Sequence, residues 1–385
     1  MLNIDIDDFL KNYWQKKPLL IRAVFPDFQS PISAEELAGL ACEEFVESRI
    51  ISESKNKPKW SLEKGPFPES RFSELPNDHW TLLIQGLNKI FPELDDLLHQ
   101  FNFIPSWRVD DLMASYAAPE GSVGPHIDQY DVFLLQASGK RKWMINSEKV
   151  NEDNFEEDTP LKIIKNFTSE SEWVLEAGDM LYLPANVAHY GTGMKDQADC
   201  ITFSIGFRAP SHAELLSAYV DDHINELNEE CRYQDPKLST KDNCGEISPH
   251  AIDNIQKILL SQFQDKEKIA DWFGHYVTDY LNDHENIDNK NLSSADFLNR
   301  FEKLGILRRP ATLRVNYRIN IEDKLTLYIN GNKEKIIPKT KNIVMLVCNQ
   351  HLINYSDIEP YLLEEDSIEF LVELYNKGYL EFEDE

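Results

Sequence analysis

The chain has 385 residues, enough for two or three domains with a substantial core. Its 67 acidic against 39 basic side chains give a formal net charge of −28, which repels nucleic acid and favours basic partners. No apolar run reaches membrane-span length, Met1 to Asp5 carries acids where a signal peptide carries lysines, and Cys42, Cys200, Cys231, Cys244 and Cys348 form no disulfide framework. The expected location is cytoplasmic.

In chain order, Asp8 to Trp14 has helical spacing that stops before Pro18, and Leu19-Leu20-Ile21 reads as a strand. Ser33-Ala34-Glu35-Glu36 is a capping-box signature opening a helix through Cys42. Trp80 to Phe101 reads as a helix pair interrupted at Pro92, and Leu112 to Ala118 as a strand. Gly121 to Pro125 breaks the backbone before His126-Ile127-Asp128, and Gln129 to Gln136 reads as a buried strand. On a strand, positions i and i+2 share a face, so His126 and Asp128 reach one ion. Gly139 to Trp143 opens the next strand, where alternation sets Arg141 opposite Lys140 and Lys142. The acidic stretch Ser147 to Pro160 reads as a solvated insertion, or as an attractor for a cationic substrate. Further on, Gly178-Asp179 is a turn, Met180 to Leu183 a short strand, Pro184 to Asn186 a second turn, and His189 opens another strand.

A bare His-x-Asp has little specificity: about one chance occurrence is expected in an acid-rich chain with this many histidines. Its setting adds the weight. The Gly-Asp…Pro…His order resembles the second metal-bearing motif of cupin and jelly-roll barrels, where the two motifs face inward on neighbouring strands. Two imidazoles and a carboxylate, His126, Asp128 and His189, suit Fe(II) and leave three positions open for a co-substrate and oxygen. No Cys-x-x-Cys suggests structural zinc. The usual co-substrate is 2-oxoglutarate, whose distal carboxylate needs a cation. Arg141 suits it best, because a planar guanidinium grips a carboxylate through two parallel hydrogen bonds. Taken alone, His189 is an ordinary half-buried histidine and the basic segment a solvated hairpin.

Residues 211–300 lack strand alternation. Ala213 to Val220, Ile255 to Phe263 and Ile269 to Leu281 have helical periodicity and suit a homodimer interface or an intramolecular bundle. In 301–385, Ala311 to Ile319 and Lys324 to Ile329 read as strands, and Asn330-Gly331-Asn332 as a turn. Ile343 to Val347 and Ser367 to Lys377 read as helices, with Gly378 at a C-cap before the strand Tyr379 to Phe382. That order is winged-helix-like. From Leu346 onward, however, eleven acids stand against Lys377 alone, which opposes direct nucleic-acid binding and favours a structural or protein-binding module.

The chain resembles the bacterial ribosomal oxygenases of the YcfD type, JmjC-like 2-oxoglutarate-dependent hydroxylases. The resemblance lies in Tyr13 to Ile21, Asp110-Asp111-Leu112-Met113, Gly124 to Phe133 and Ser204 to Pro210. It implies an α+β chain in three parts: a double-stranded β-helix (jelly-roll or cupin-like JmjC barrel) with N-terminal helices over 1–210, a helical dimerisation region over 211–300, and a winged-helix-like domain over 301–385. It also implies an arginine 3-hydroxylase acting on a basic large-subunit ribosomal protein, number sixteen, with release of succinate and carbon dioxide. By matching position, His126, Asp128 and His189 would bind iron and Arg141 would hold 2-oxoglutarate. Asp111, Met113, Tyr130 and Ser204 fall where that family receives the substrate arginine. Asp111, Met113 and Ser115 share strand parity and would line one wall, with Ser115 beside the co-substrate. Without the resemblance, a turn cap for Asp111 and core packing for Met113 are equally good readings. A JmjC oxygenase acting on a histidine or lysine, a non-catalytic metal-binding barrel and a winged-helix transcription regulator are the alternatives, in that order.

Overall fold

The computed structural model describes residues 2–54, 59–196, 199–228, 230–236, 238, 243–279 and 291–383. The chain forms two compact units, Met1–Ala209 and Pro210–Glu385.

The first unit contains α1 (Ile6–Asn12), β1 (Leu19–Ile21), α2 (Ala34–Leu40), β2 (Ser48–Glu53), β3 (Trp60–Lys64), α3 (Ser70–Glu74), β4 (Trp80–Ile84) and α4 (Pro92–Leu98). Then come β5 (Val109–Ala117), β6 (Asp131–Ser138), β7 (Lys140–Asn146), β8 (Ser171–Glu176), β9 (Met180–Leu183), β10 (Ala188–Gly193) and β11 (Cys200–Phe207). Eight strands pair in the order β1-β9-β6-β11-β5-β4-β2-β3, and a smaller sheet runs β10-β7-β8. All pairings are antiparallel.

Strand β6 shows why its sequence is a continuous apolar run. Phe133 and Leu135 join the core under the N-terminal helices, with Phe9, Phe101, Tyr182 and Phe207. Val132 and Leu134 point the other way and join Trp143, Ile145, Leu175 and Leu181. Both faces of the strand are therefore covered, and alternation disappears from the sequence. At its start, fully buried Asp131 accepts from Tyr182 Oη at 2.7 Å and from Gln15 Nε2 at 3.0 Å. The Gly178-Asp179 turn is real. Gly178 has φ +86°, and a Cβ there would meet the Phe25 carbonyl at 2.3 Å. Asp179 then accepts from the backbone N–H of Ala23 and of Glu176, which fixes the entry to β9.

Several expected elements need correction. Trp80 to Phe101 is not a helix pair: Trp80–Ile84 is a strand between β2 and β5, and Pro92 opens the only α-helix described in that stretch. Leu83, Leu87 and Ile90 also satisfy helical spacing, but neighbours on both edges take the backbone donors of β4, and Pro92 suits a first helical turn. His126 to Tyr130 is not strand either. His126 makes one isolated bridge to His189, and regular pairing begins at Asp131. The first helix begins and ends two residues earlier than its spacing suggested, because Asp5 caps it by accepting from Asp8 N–H.

The second unit holds α5 (His212–His223), α6 (Pro249–Ser261), α7 (Lys266–Thr278), α8 (Ser294–Leu304), β12 (Ile306–Arg308), β13 (Val315–Ile319), β14 (Leu325–Ile329) and β15 (Asn332–Glu334). It ends with α9 (Lys341–Asn349), β16 (Leu352–Asn354), α10 (Tyr355–Ile358), α11 (Glu365–Asn376) and β17 (Glu381–Phe382). Two three-stranded sheets, β16-β12-β17 and β13-β14-β15, share a core around Phe297, Phe301, Val344 and Leu371. Helix α7 packs on β14, where Gly274 lies flat on the Tyr328 ring, and the Tyr328 hydroxyl donates to Asp271 at 2.6 Å. It ends at Thr278, so the expected extension to Leu281 runs outside the described residues. Buried Arg309 donates to the Val347 and Cys348 carbonyls, closing the C-terminal end of α9.

Candidate active site

A cavity of about 320 Å³ opens between the two sheets of the first unit. Strand β7 alternates, so Arg141, Trp143 and Ile145 turn inward while Lys140 and Lys142 pair outside with Glu176 and Glu172. On the large sheet, Asp111, Met113 and Ser115 of β5 line the cavity, as their parity predicts. Ser204 lies opposite Met113 on β11, and Tyr130 sits at the rim. All the sequence-predicted residues, His126, Asp128, His189, Arg141, Ser115, Asp111, Met113, Tyr130 and Ser204, line this one cavity.

His126, Asp128 and His189 bring one ligand atom each to within 4.8 Å of the others. Asp128 lies between the rings, with Oδ1 3.8 Å from His126 Nε2 and Oδ2 3.5 Å from His189 Nε2. Reciprocal backbone hydrogen bonds between His126 and His189 hold the two segments side by side. Each imidazole is oriented by its own segment: His126 Nδ1 lies 2.9 Å from the Gly124 carbonyl and His189 Nδ1 3.0 Å from the Val187 carbonyl. A carbonyl only accepts, so each Nδ1 donates, and each Nε2 faces Asp128 at the edge a metal would take. Burial, then the neighbouring His126, pulls the His189 pKa down to about 4, which keeps the ring in its neutral, ligating form. This donor set fits a divalent transition metal with open coordination positions.

Arg141 is 1% exposed. Its Nη1 donates to Ser115 Oγ at 2.7 Å and to Thr202 Oγ1 at 3.2 Å, its Nε has no partner, and it lies 5.0 Å from the Trp143 ring. No carboxylate among the described residues pairs with it, and burial lowers its proton affinity. A guanidinium held this way, beside a metal donor set, matches a ligand carboxylate. Tyr130's phenol is pushed up by burial and by Asp128, Asp111 and Asp110, so its hydroxyl keeps its proton as a donor. Asp111 Oδ2 accepts from Gln85 Nε2 at 2.8 Å and from Gly86 N–H at 2.9 Å. Asp111 thus lines the cavity from within β5, and its bonds go to the segment after β4 rather than to the turn that opens its own strand.

Thr202, Gln136, Gln85, Arg49 and Lys162 were not expected here. Thr202 was findable, since it shares parity with Ser204 two residues on. It faces Ser115 across the β11–β5 pairing and donates to Gln136 Oε1 at 2.9 Å. Lys162 reaches the cavity from the end of the acidic insertion, flanked by Leu161 and Ile163. Nothing local in the sequence signals that.

Fold and site together define a cupin-like barrel in which His126, Asp128 and His189 could hold one metal ion. Residues 96–215 match the JmjC domain family and residues 260–381 the ROXA-like winged helix family. The chain is 31% identical, over 99% of its own length and of the relative's, to the ribosomal protein uL16 3-hydroxylase of Escherichia coli (strain K12). It is 33% identical to a probable ribosomal oxygenase of Haemophilus influenzae, over 70% of this chain and 67% of that one. The structure of the E. coli ribosomal oxygenase YcfD in complex with cobalt and 2-oxoglutarate matches with a TM-score of 0.82 at 30% identity, covering 100% of this chain and 99% of that one. The chain belongs to the family of JmjC-domain ribosomal oxygenases. Among the described residues, no helix is long and apolar enough to cross a membrane.

Proposed function

We propose that this chain is an Fe(II)- and 2-oxoglutarate-dependent oxygenase that hydroxylates an arginine side chain of a basic large-subunit ribosomal protein. The observation that carries the reading is a single cavity holding the His126, Asp128 and His189 donors together with buried Arg141, a cation lacking a carboxylate partner among the described residues. Fe(II) with 2-oxoglutarate and oxygen supplies the oxidant that converts C–H to C–OH, releasing succinate and carbon dioxide. The chain supplies placement. His126, Asp128 and His189 hold the metal; Arg141, fixed by Ser115 and Thr202, receives the distal carboxylate of 2-oxoglutarate. Asp111 accepts from a guanidinium, Tyr130 offers a ring face and an O–H, and Met113 and Ser204 border the side chain. The name of the E. coli relative supports a ribosomal protein as substrate, and the net charge of −28 suits a basic one.

The second unit supports a homodimer. Leu216, Val220 and Ile224 follow one face of α5 and its continuing turn, as do Ile252, Ile255 and Leu259 on α6, and all are exposed. Residues 211–300 would supply that interface, and 301–385 a winged-helix-like module that contacts protein rather than nucleic acid. Succinate formation tests the reading: an arginine peptide from the ribosomal protein should accelerate it in the iron-loaded protein. A histidine- or lysine-bearing peptide that does so instead would move the substrate assignment to that residue.

A further inference from the structure

A second polar constellation lies in the same cavity, where β4 ends. Gln85 Nε2 and Gly86 N–H converge on Asp111 Oδ2 at 2.8 and 2.9 Å. On its other side, Gln85 Oε1 accepts from Arg49 Nη2 of β2 at 3.1 Å. Arg49, Gln85 and Asp111 all line the cavity. A guanidinium only donates, so Arg49 fixes which end of the Gln85 amide faces it. The NH2 end must then face Asp111, and Asp111 must accept. Asp111 is 7% exposed, so these donors, rather than water, set its orientation.

We propose that Gln85, locked by Arg49, is a positioning residue that holds Asp111 as an acceptor aimed at a cationic side chain entering the cavity. The inference rests on the arginine-substrate reading and supplies what that reading lacks, the source of the fixed carboxylate. Losing the Gln85 amide lets the carboxylate turn, which weakens recognition of the substrate cation. The metal and 2-oxoglutarate sites, built on other side chains, are not reached by that change.

The test is a double-mutant cycle on the full-length iron-loaded protein, reading KM separately for an arginine peptide and for 2-oxoglutarate. Gln85→Leu removes a hydrogen bond to a charged group, so peptide KM should rise about tenfold while the KM for 2-oxoglutarate stays put. Asp111→Asn should cost at least as much, and adding Gln85→Leu to it should cost nothing further. Arg49→Met keeps Gln85 but frees its amide to flip, so it should raise peptide KM by less than Gln85→Leu, and it reads out the lock even where Gln85→Leu folds poorly. Additive losses in the double variant, equal rises in both KM values, or an Arg49→Met variant identical to wild type would overturn the proposal. A wild type dependent on the arginine peptide with an additive cycle removes only this inference. A wild type that consumes 2-oxoglutarate without responding to any arginine peptide removes the substrate reading and this inference with it.

Discussion

Arg141 is charged, nearly solvent-free and without a carboxylate partner among the described residues, an arrangement that costs stability until a ligand completes it. Arg141→Met should therefore leave the ligand-free protein at least as stable as wild type while weakening 2-oxoglutarate binding about a hundredfold, the scale of losing a buried charge pair. Thermal melting checks both parts: 2-oxoglutarate should raise the Tm of the wild type and not that of the variant. Wild-type affinity in the variant would return Arg141 to plain structure. This residue was legible because strand parity separates it from Lys140 and Lys142. Thr202 was findable by its parity with Ser204, but Gln136 was not, because its link to Arg141 through Thr202 exists only once β11 pairs with β6. Asp111 was legible as a carboxylate on the right face, whereas its donors on Gln85 and Gly86 come from a segment first read as helix.

Among the elements at the site, β10 packs tightly on β7. A Cβ on Gly191 would meet the Trp143 ring at 2.6 Å, and Trp143 lies 5.9 Å from the His189 ring and 5.0 Å from Arg141. Gly191→Ala should overpack this contact, cost about 1–3 kcal/mol and weaken both metal and 2-oxoglutarate binding. Calorimetry of the apo protein and a metal titration would show it; unchanged melting would mean that the two strands separate easily. Strands β1, β5 and β9 were readable from apolar runs, and β10 from the Pro184 to Asn186 turn that precedes it. Strand β4 was not, since a short apolar run satisfies helix and strand spacing alike and only its pairing partners decide. The segment bearing His126 and Asp128 was read as strand from its apolar continuation. The structure instead holds it by the single bridge to His189, so the two ligand-bearing segments depend on each other more than on the sheet.

At the scale of the whole molecule, charge and the exposed apolar helix face make separate predictions. With a net charge of −28, affinity for a basic peptide should fall as salt rises from about 0.05 to about 0.5 M, while 2-oxoglutarate, held by buried Arg141, should bind almost as before. Isothermal titration at the two salt concentrations separates these, and equal sensitivity would count against peptide steering by surface charge. Leu259→Lys should shift light-scattering mass from dimer toward monomer without changing the secondary structure, because Leu259 is exposed on α6. An unchanged mass would move any dimer contact elsewhere. The acidic C-terminal stretch and the helical spacings of the second unit were visible in the sequence, but the packing of α7 on β14 was not: Gly274 and Tyr328 are 54 positions apart, and no local pattern links them.

The reaction proposed for this chain is oxygen transfer to an arginine at the His126, Asp128 and His189 centre. The most direct measurement is fragment mass spectrometry of an arginine-containing ribosomal-protein peptide after incubation with the iron-loaded chain, 2-oxoglutarate and oxygen. The expected result is a gain of one oxygen on the arginine that disappears in His126→Ala. An unmodified peptide and no succinate from protein with verified iron occupancy would contradict it.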